Sequence, residues 1–159
     1  MKQILLMMAA VVLVGCGTTK IDPNAPANIS DPLVEKAVRG ELKKPQGELT
    51  NADIEKVTSL FLNDTKITDA GLKDVAKLQQ LTTLFLHGTK ITDAGLKEVA
   101  KLQKLEMLWL RDTKITDEGL KDVAKLQKLT FLDLSNTKIT KADVAELKKA
   151  MPNCKIEGP

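Results

Sequence analysis

Apolar positions return at a fixed phase along most of the chain. From Val57 the same pattern recurs every 24 residues: VTSLFLNDTKITDAGLKDVAKLQQ, LTTLFLHGTKITDAGLKEVAKLQK, LEMLWLRDTKITDEGLKDVAKLQK, and a degenerate copy, LTFLDLSNTKITKADVAELKKAMP, that ends at Pro152. Self-similarity at this period marks stacked units, none of which can bury its apolar side alone. The first six residues of each unit alternate, which predicts a short strand. Leu60, Leu84, Leu108 and Leu132, with Leu62, Leu86, Leu110 and Leu134, then face inward, and the residues between them face out. The strands are expected to be parallel, because every unit starts at the same phase. A segment with helical spacing follows, with Leu72, Val75, Ala76 and Leu78 as its apolar stripe in the first copy. Thr68, Thr92 and Thr116 are placed to cap these helices. Asp69, Asp93 and Asp117 then fall in the first turn, where the helix dipole favours negative charge.

The flanks differ from the repeats in ways that predict caps. Asp31 followed by Pro32 offers an N-cap and a proline at the first helical position. Leu33, Val34, Ala37, Val38 and Leu42 make an apolar face able to cover the first repeat, and Thr50 opens a second short helix through Asp53. Downstream, residues 142–150 replace the repeat helix, and residues 153–159 close the end, with Cys154 as a small buried hydrophobe. Residues 16–30 hold prolines and asparagines with little apolar content and are expected to form a flexible tether. The expected division is 1–15 leader, 16–30 tether, 31–56 N-terminal cap, 57–152 four repeats and 153–159 closing segment.

The leader reads MKQILLMMAAVVLVGCG, one lysine followed by eleven apolar residues from Ile4 to Val14. That run is too short to span a bilayer but suits the apolar region of a secretory signal. Leu13-Val14-Gly15-Cys16 resembles the lipobox of bacterial lipoproteins. The resemblance implies lipidation at Cys16 (diacylglyceryl and acyl groups, palmitate among them), retention on a membrane, and a place in the bacterial cell envelope. The residue after Cys16 is not Asp, which by the same resemblance favours the outer membrane.

The repeats resemble the leucine-rich-repeat family, and the block ITDAGL…VAKL is similar to its cysteine-containing subclass. Thr65, Thr89, Thr113 and Thr137 stand where that subclass has cysteine and others have asparagine. A threonine hydroxyl there can serve backbone groups in the loop. The segment from Ile29 to Leu62 resembles the N-terminal cap of internalin-like repeat proteins. The fold class implied is α/β: a right-handed leucine-rich-repeat solenoid with a parallel sheet on the concave face, short helices on the convex face and a helical N-terminal cap.

Composition narrows the chemistry. The chain is 43% hydrophobic and 28% charged with a formal net charge of +3, too balanced for a nucleic-acid binder. Two cysteines and one histidine support neither a disulfide framework nor a histidine metal site. No phosphate loop, paired-histidine motif or nucleophile elbow occurs, so the chain is expected to be no enzyme and to need no cofactor. His87 shares no unit with Ser135 and Asp133. Asp64 and Asp112 lie in alternate units, too few oxygens for calcium. Lys66, Lys90, Lys114 and Lys138 form a column with Asp69, Asp93 and Asp117 three residues away, which predicts a self-compensating edge.

The second and third repeats differ at seven positions, five of them at positions 2, 3, 5, 7 and 8 of the unit, in and just after the strand. All the aromatics share the outward phase: Phe61, Phe85 and Trp109 run on to Asp133 in one ladder, and Met107 and Phe131 fall in the next. His87 and Arg111 lie two residues beyond the first ladder. The copied scaffold with a varied outer face predicts a ligand-binding surface formed by Phe61, Phe85, Trp109, Phe131, Met107, His87, Arg111 and Asp133. A protein or peptide partner outside the cytoplasm fits this aromatic, Met and Arg mixture. A glycan or cell-wall polymer, a passive envelope protein, and aromatics that only stabilise the sheet are the alternatives.

Overall fold

The computed structural model describes residues 21–158. The lipobox and Cys16 lie outside the described residues. The helical N-terminal cap consists of α1 (Pro32–Leu42) and α2 (Asn51–Ile54). Four coils follow: β1 (Ser59–Phe61) with α3 (Leu72–Val75), β2 (Thr83–Phe85) with α4 (Asp93–Val99), β3 (Met107–Trp109) with α5 (Asp117–Val123), and β4 (Phe131–Asp133) with α6 (Lys141–Ala150). The chain then adds β5 (Lys155–Glu157), so the sheet has five strands, all parallel and in sequence order. β5 keeps the 24-residue phase, since Leu132 pairs with Ile156 as Leu84 pairs with Leu108.

The strand register is the one the leucines require. Leu60, Leu84, Leu108 and Leu132 lie side by side and are fully buried, as are the leucines two residues on and Ile67, Ile91 and Ile115. One continuous core runs from Val34 and Val38 of the cap to Ile156. Each coil turns the corner at a residue with positive φ: Asp64, Gly88, Asp112 and Asn136, at 56°, 67°, 55° and 55°. Position 8 of the unit therefore varies only among residue types that tolerate the left-handed region. Its variation answers a backbone demand, not a changing surface. The threonine that follows donates its hydroxyl to the carbonyl of the last inward leucine, Thr65 to Leu62, Thr89 to Leu86, Thr113 to Leu110 and Thr137 to Leu134, at 2.6–2.7 Å.

Helix starts depart from the expectation in the first coil. Thr92 caps α4 and Thr116 holds the N-cap place of α5, but α3 begins only at Leu72, after Gly71, and Thr68 caps nothing. The reason lies between coils. Asp69 accepts from the backbone N–H and hydroxyl of Thr92 at 2.8 and 2.7 Å, and Asp93 does the same for Thr116 at 2.9 and 2.7 Å. Each aspartate thus fixes the helix start of the next coil. In the cap the corresponding acid is Asp31, which caps α1 by accepting from Leu33 and Val34, so Thr68 has no such partner.

The expected tether ends earlier than residue 30. The N–H of Ala27 donates to Leu49, the N–H of Asn51 donates to Ala25, Ala27 is buried and Ile29 packs on the core. The Asp74 carboxylate then accepts from the N–H groups of Ser30 and Asp31, both at 2.7 Å, and pairs with Lys77 at 2.6 Å. Composition missed this docking because it is made by main-chain bonds and one acid 43 residues away.

Candidate functional site

The side chains between the buried leucines form columns on the open face of the sheet. The first column holds Phe61, Phe85, Trp109, Asp133 and Glu157; the second holds Ser59, Thr83, Met107, Phe131 and Lys155. Four rings make a continuous stack across them. Phe61 and Phe85 lie 4.7 Å apart at 11°, Phe85 and Trp109 4.1 Å apart at 16°, and Trp109 and Phe131 5.1 Å apart at 44°. The stack therefore steps diagonally into the second column, and the Lys155 ammonium closes its far end 5.6 Å from the Phe131 centroid.

This arrangement decides which parts of the rings are available. Phe85 is stacked on both sides, by Phe61 and by Trp109, whereas no ring covers the outer side of Phe61 and Phe131 meets Trp109 at a tilt. Phe61 is 55% exposed and Met107 37%, while Phe85, Trp109 and Phe131 are half-buried. Asp133, the register partner of Trp109, is buried and accepts from the N–H of Ser135 at 2.9 Å. Beside that register partner, Trp109 also packs against the Phe131 ring.

A family model described as leucine-rich repeats (2 copies) matches residues 103–149. Among solved structures, internalin C2 from Listeria monocytogenes is similar with a TM-score of 0.60 and 25% identity, over 86% of this chain and 68% of that one. Internalin F from the same organism aligns with a TM-score of 0.59 and 21% identity, over 84% of this chain and 45% of that one. The fold is a leucine-rich-repeat solenoid. No curated protein sequence matches the chain.

The solenoid places the remaining candidates at the rim of the ladder. His87 meets the edge of Phe85 at 6.3 Å, and its Nε2 lies 3.8 Å from Asp64. Arg111 is exposed and pairs with Asp112 at 3.1 Å. Among the described residues no three His, Cys, Asp or Glu side chains are grouped to hold a metal ion. Cys154 is free and buried, and burial pushes its thiol pKa up, away from reactivity.

Sequence reasoning missed two features of the convex side. Gly71, Gly95 and Gly119 each lie against an acid of the preceding segment: a Cβ there would meet Asp31, Asp69 or Asp93 at 2.5–2.6 Å. In the last coil Asp143 takes the glycine's place, and a cavity of about 320 Å³ opens between α5 and α6, lined by Leu120 and Leu147. The lysine column also departs from its expected neutralisation. Asp69 and Asp93 turn to the next coil's threonine, and none of Lys66, Lys90, Lys114 or Lys138 makes an ion pair among the described residues.

Proposed function

We propose that this chain is a non-enzymatic recognition module that binds a protein or peptide through the aromatic ladder, tethered to a bacterial envelope membrane by lipid on Cys16. The observation that carries the reading is the open four-ring stack on a scaffold whose inward positions are copied from coil to coil. A soluble domain rarely keeps a contiguous apolar patch uncovered without use. The platform is apolar at β1 and polar at β5, where Lys155 and Glu157 pair at 2.7 Å. That gradient suits an amphipathic segment laid across the strands.

The stack also argues against a sugar on this face. A pyranose binds an aromatic by covering its face, and the stacked pairs Phe61–Phe85 and Phe85–Trp109 leave no free face on Phe85. Protein side chains pack against ring edges equally well. Phe61 is thus the residue whose loss is expected to harm binding most and folding least. Capture of a partner from solubilised envelope should succeed with the wild type and drop at least about tenfold with Phe61→Ser, at an unchanged melting curve. Equal capture by both proteins would remove the ladder from recognition. For the anchor, Cys16→Ser should abolish acyl labelling and release the protein from the membrane fraction. Labelling that persists would contradict lipidation at that residue.

A further inference from the structure

Two columns of lysine run along the solenoid, and their surroundings differ. At the helix ends Lys77, Lys101 and Lys125 each pair with an acid one turn back: Asp74 at 2.6 Å, Glu98 at 2.7 Å and Asp122 at 2.6 Å. In the turns after the strands Lys66, Lys90, Lys114 and Lys138 are all exposed and, among the described residues, have no such partner. Four of the nearby acids face other groups. Asp69 and Asp93 bind Thr92 and Thr116, Asp64 lies 3.8 Å from His87, and Asp112 holds Arg111.

At two of the three junctions the turns of adjacent coils are tied to each other, the N–H of Lys114 donating to Ile91 at 3.2 Å and that of Lys138 to Ile115 at 3.3 Å. Parallel strands lie about 4.8 Å apart, so four ammonium groups are rooted along roughly 15 Å. Like charges at this spacing repel, and an anion with matching spacing relieves the repulsion.

We propose that this row binds a linear acidic polysaccharide with one carboxylate per sugar, running along the solenoid axis. A single file of charges on one edge fits a polymer, whereas an anionic membrane would call for a two-dimensional patch. Lysine suits the task, because a compact ammonium tolerates small offsets that a bidentate guanidinium would not. The site shares no residue with the aromatic ladder and stands independently of its function.

The test is calorimetric titration of the full chain with galacturonate oligomers of about two, four and eight sugars at low salt. Affinity should rise steeply up to four sugars, flatten beyond, and fall as salt is added, as charge-driven binding of polyanions does. The triple variant Lys66→Gln, Lys90→Gln, Lys114→Gln should bind the tetramer at least about tenfold more weakly. The triple Lys77→Gln, Lys101→Gln, Lys125→Gln removes the same charge and should stay within about twofold of wild type. Equal losses in the two triples, or no dependence on oligomer length, would show attraction by net charge alone and overturn the site. Tighter binding of a glycerol-phosphate oligomer of equal charge would overturn the choice of polymer.

Discussion

Individual residues carry more of this fold than the leucines alone suggest. The leucine positions were legible because one period repeats them four times over. Position 8 was legible in principle too: Asp64, Gly88, Asp112 and Asn136 are all residues that accept positive φ, although the variation first reads as surface diversity. The glycines of the repeat helices gave less warning, since their demand comes from an acid in the preceding coil. Adding a methyl at Gly95 would press on the Asp69 carboxylate at 2.5 Å and Leu72 at 2.6 Å. Gly95→Ala should therefore destabilise by about 1–3 kcal/mol. At Gly40, within α1, a methyl would meet nothing within 4 Å, and Gly40→Ala should stabilise by about 0.5–1 kcal/mol. Denaturant midpoints moving in opposite directions would bear out the contrast, and a neutral Gly95→Ala would contradict the close approach.

Elements form as their neighbours allow. α3 and α4 arise from segments that differ only at Asp74 and Glu98, yet α3 is four residues long and α4 seven. No local reading can separate them; the difference is the Asp69 carboxylate that Thr92 receives and Thr68 lacks. Asp74 in turn clasps the cap to the first coil. Burial pushes its pKa up, but Lys77 and the N–H groups of Asp31 and Ser30 outweigh burial, and the net shift is downward. Asp53, held by Lys44 and Thr50, also lies well below the usual carboxylate range. For an acid depressed on folding, the stabilisation is present above the unfolded value of about 3.9 and is lost as pH falls through the folded value. The cap should thus loosen first on acidification below about pH 4. Asp74→Asn should cost about 1.5–3 kcal/mol at neutral pH and flatten the acid limb of the stability curve. An acid limb as steep as that of wild type would show that Asp74 does not tie cap to coil.

The whole molecule is a copied scaffold with one varied face. Repetition made the fold, the strand order and the outward phase of the aromatics legible in the sequence. It did not reveal that Phe131 joins Asp133 as a neighbour of Trp109, because that ring contact crosses from one column to the next. Nor did it reveal that stacking leaves Trp109 half-buried, so part of the ring's contribution goes to the sheet itself. The central claim is that the exposed remainder of the stack is where a partner sits. Trp109 is the only tryptophan in the chain, so its fluorescence reports on that stack without ambiguity. Acrylamide should quench it readily in the free protein, and quenching should fall by about half or more when the partner captured by the wild type is added back. An indole shielded in the free protein, or quenching unchanged by the bound partner, would contradict recognition through the ladder.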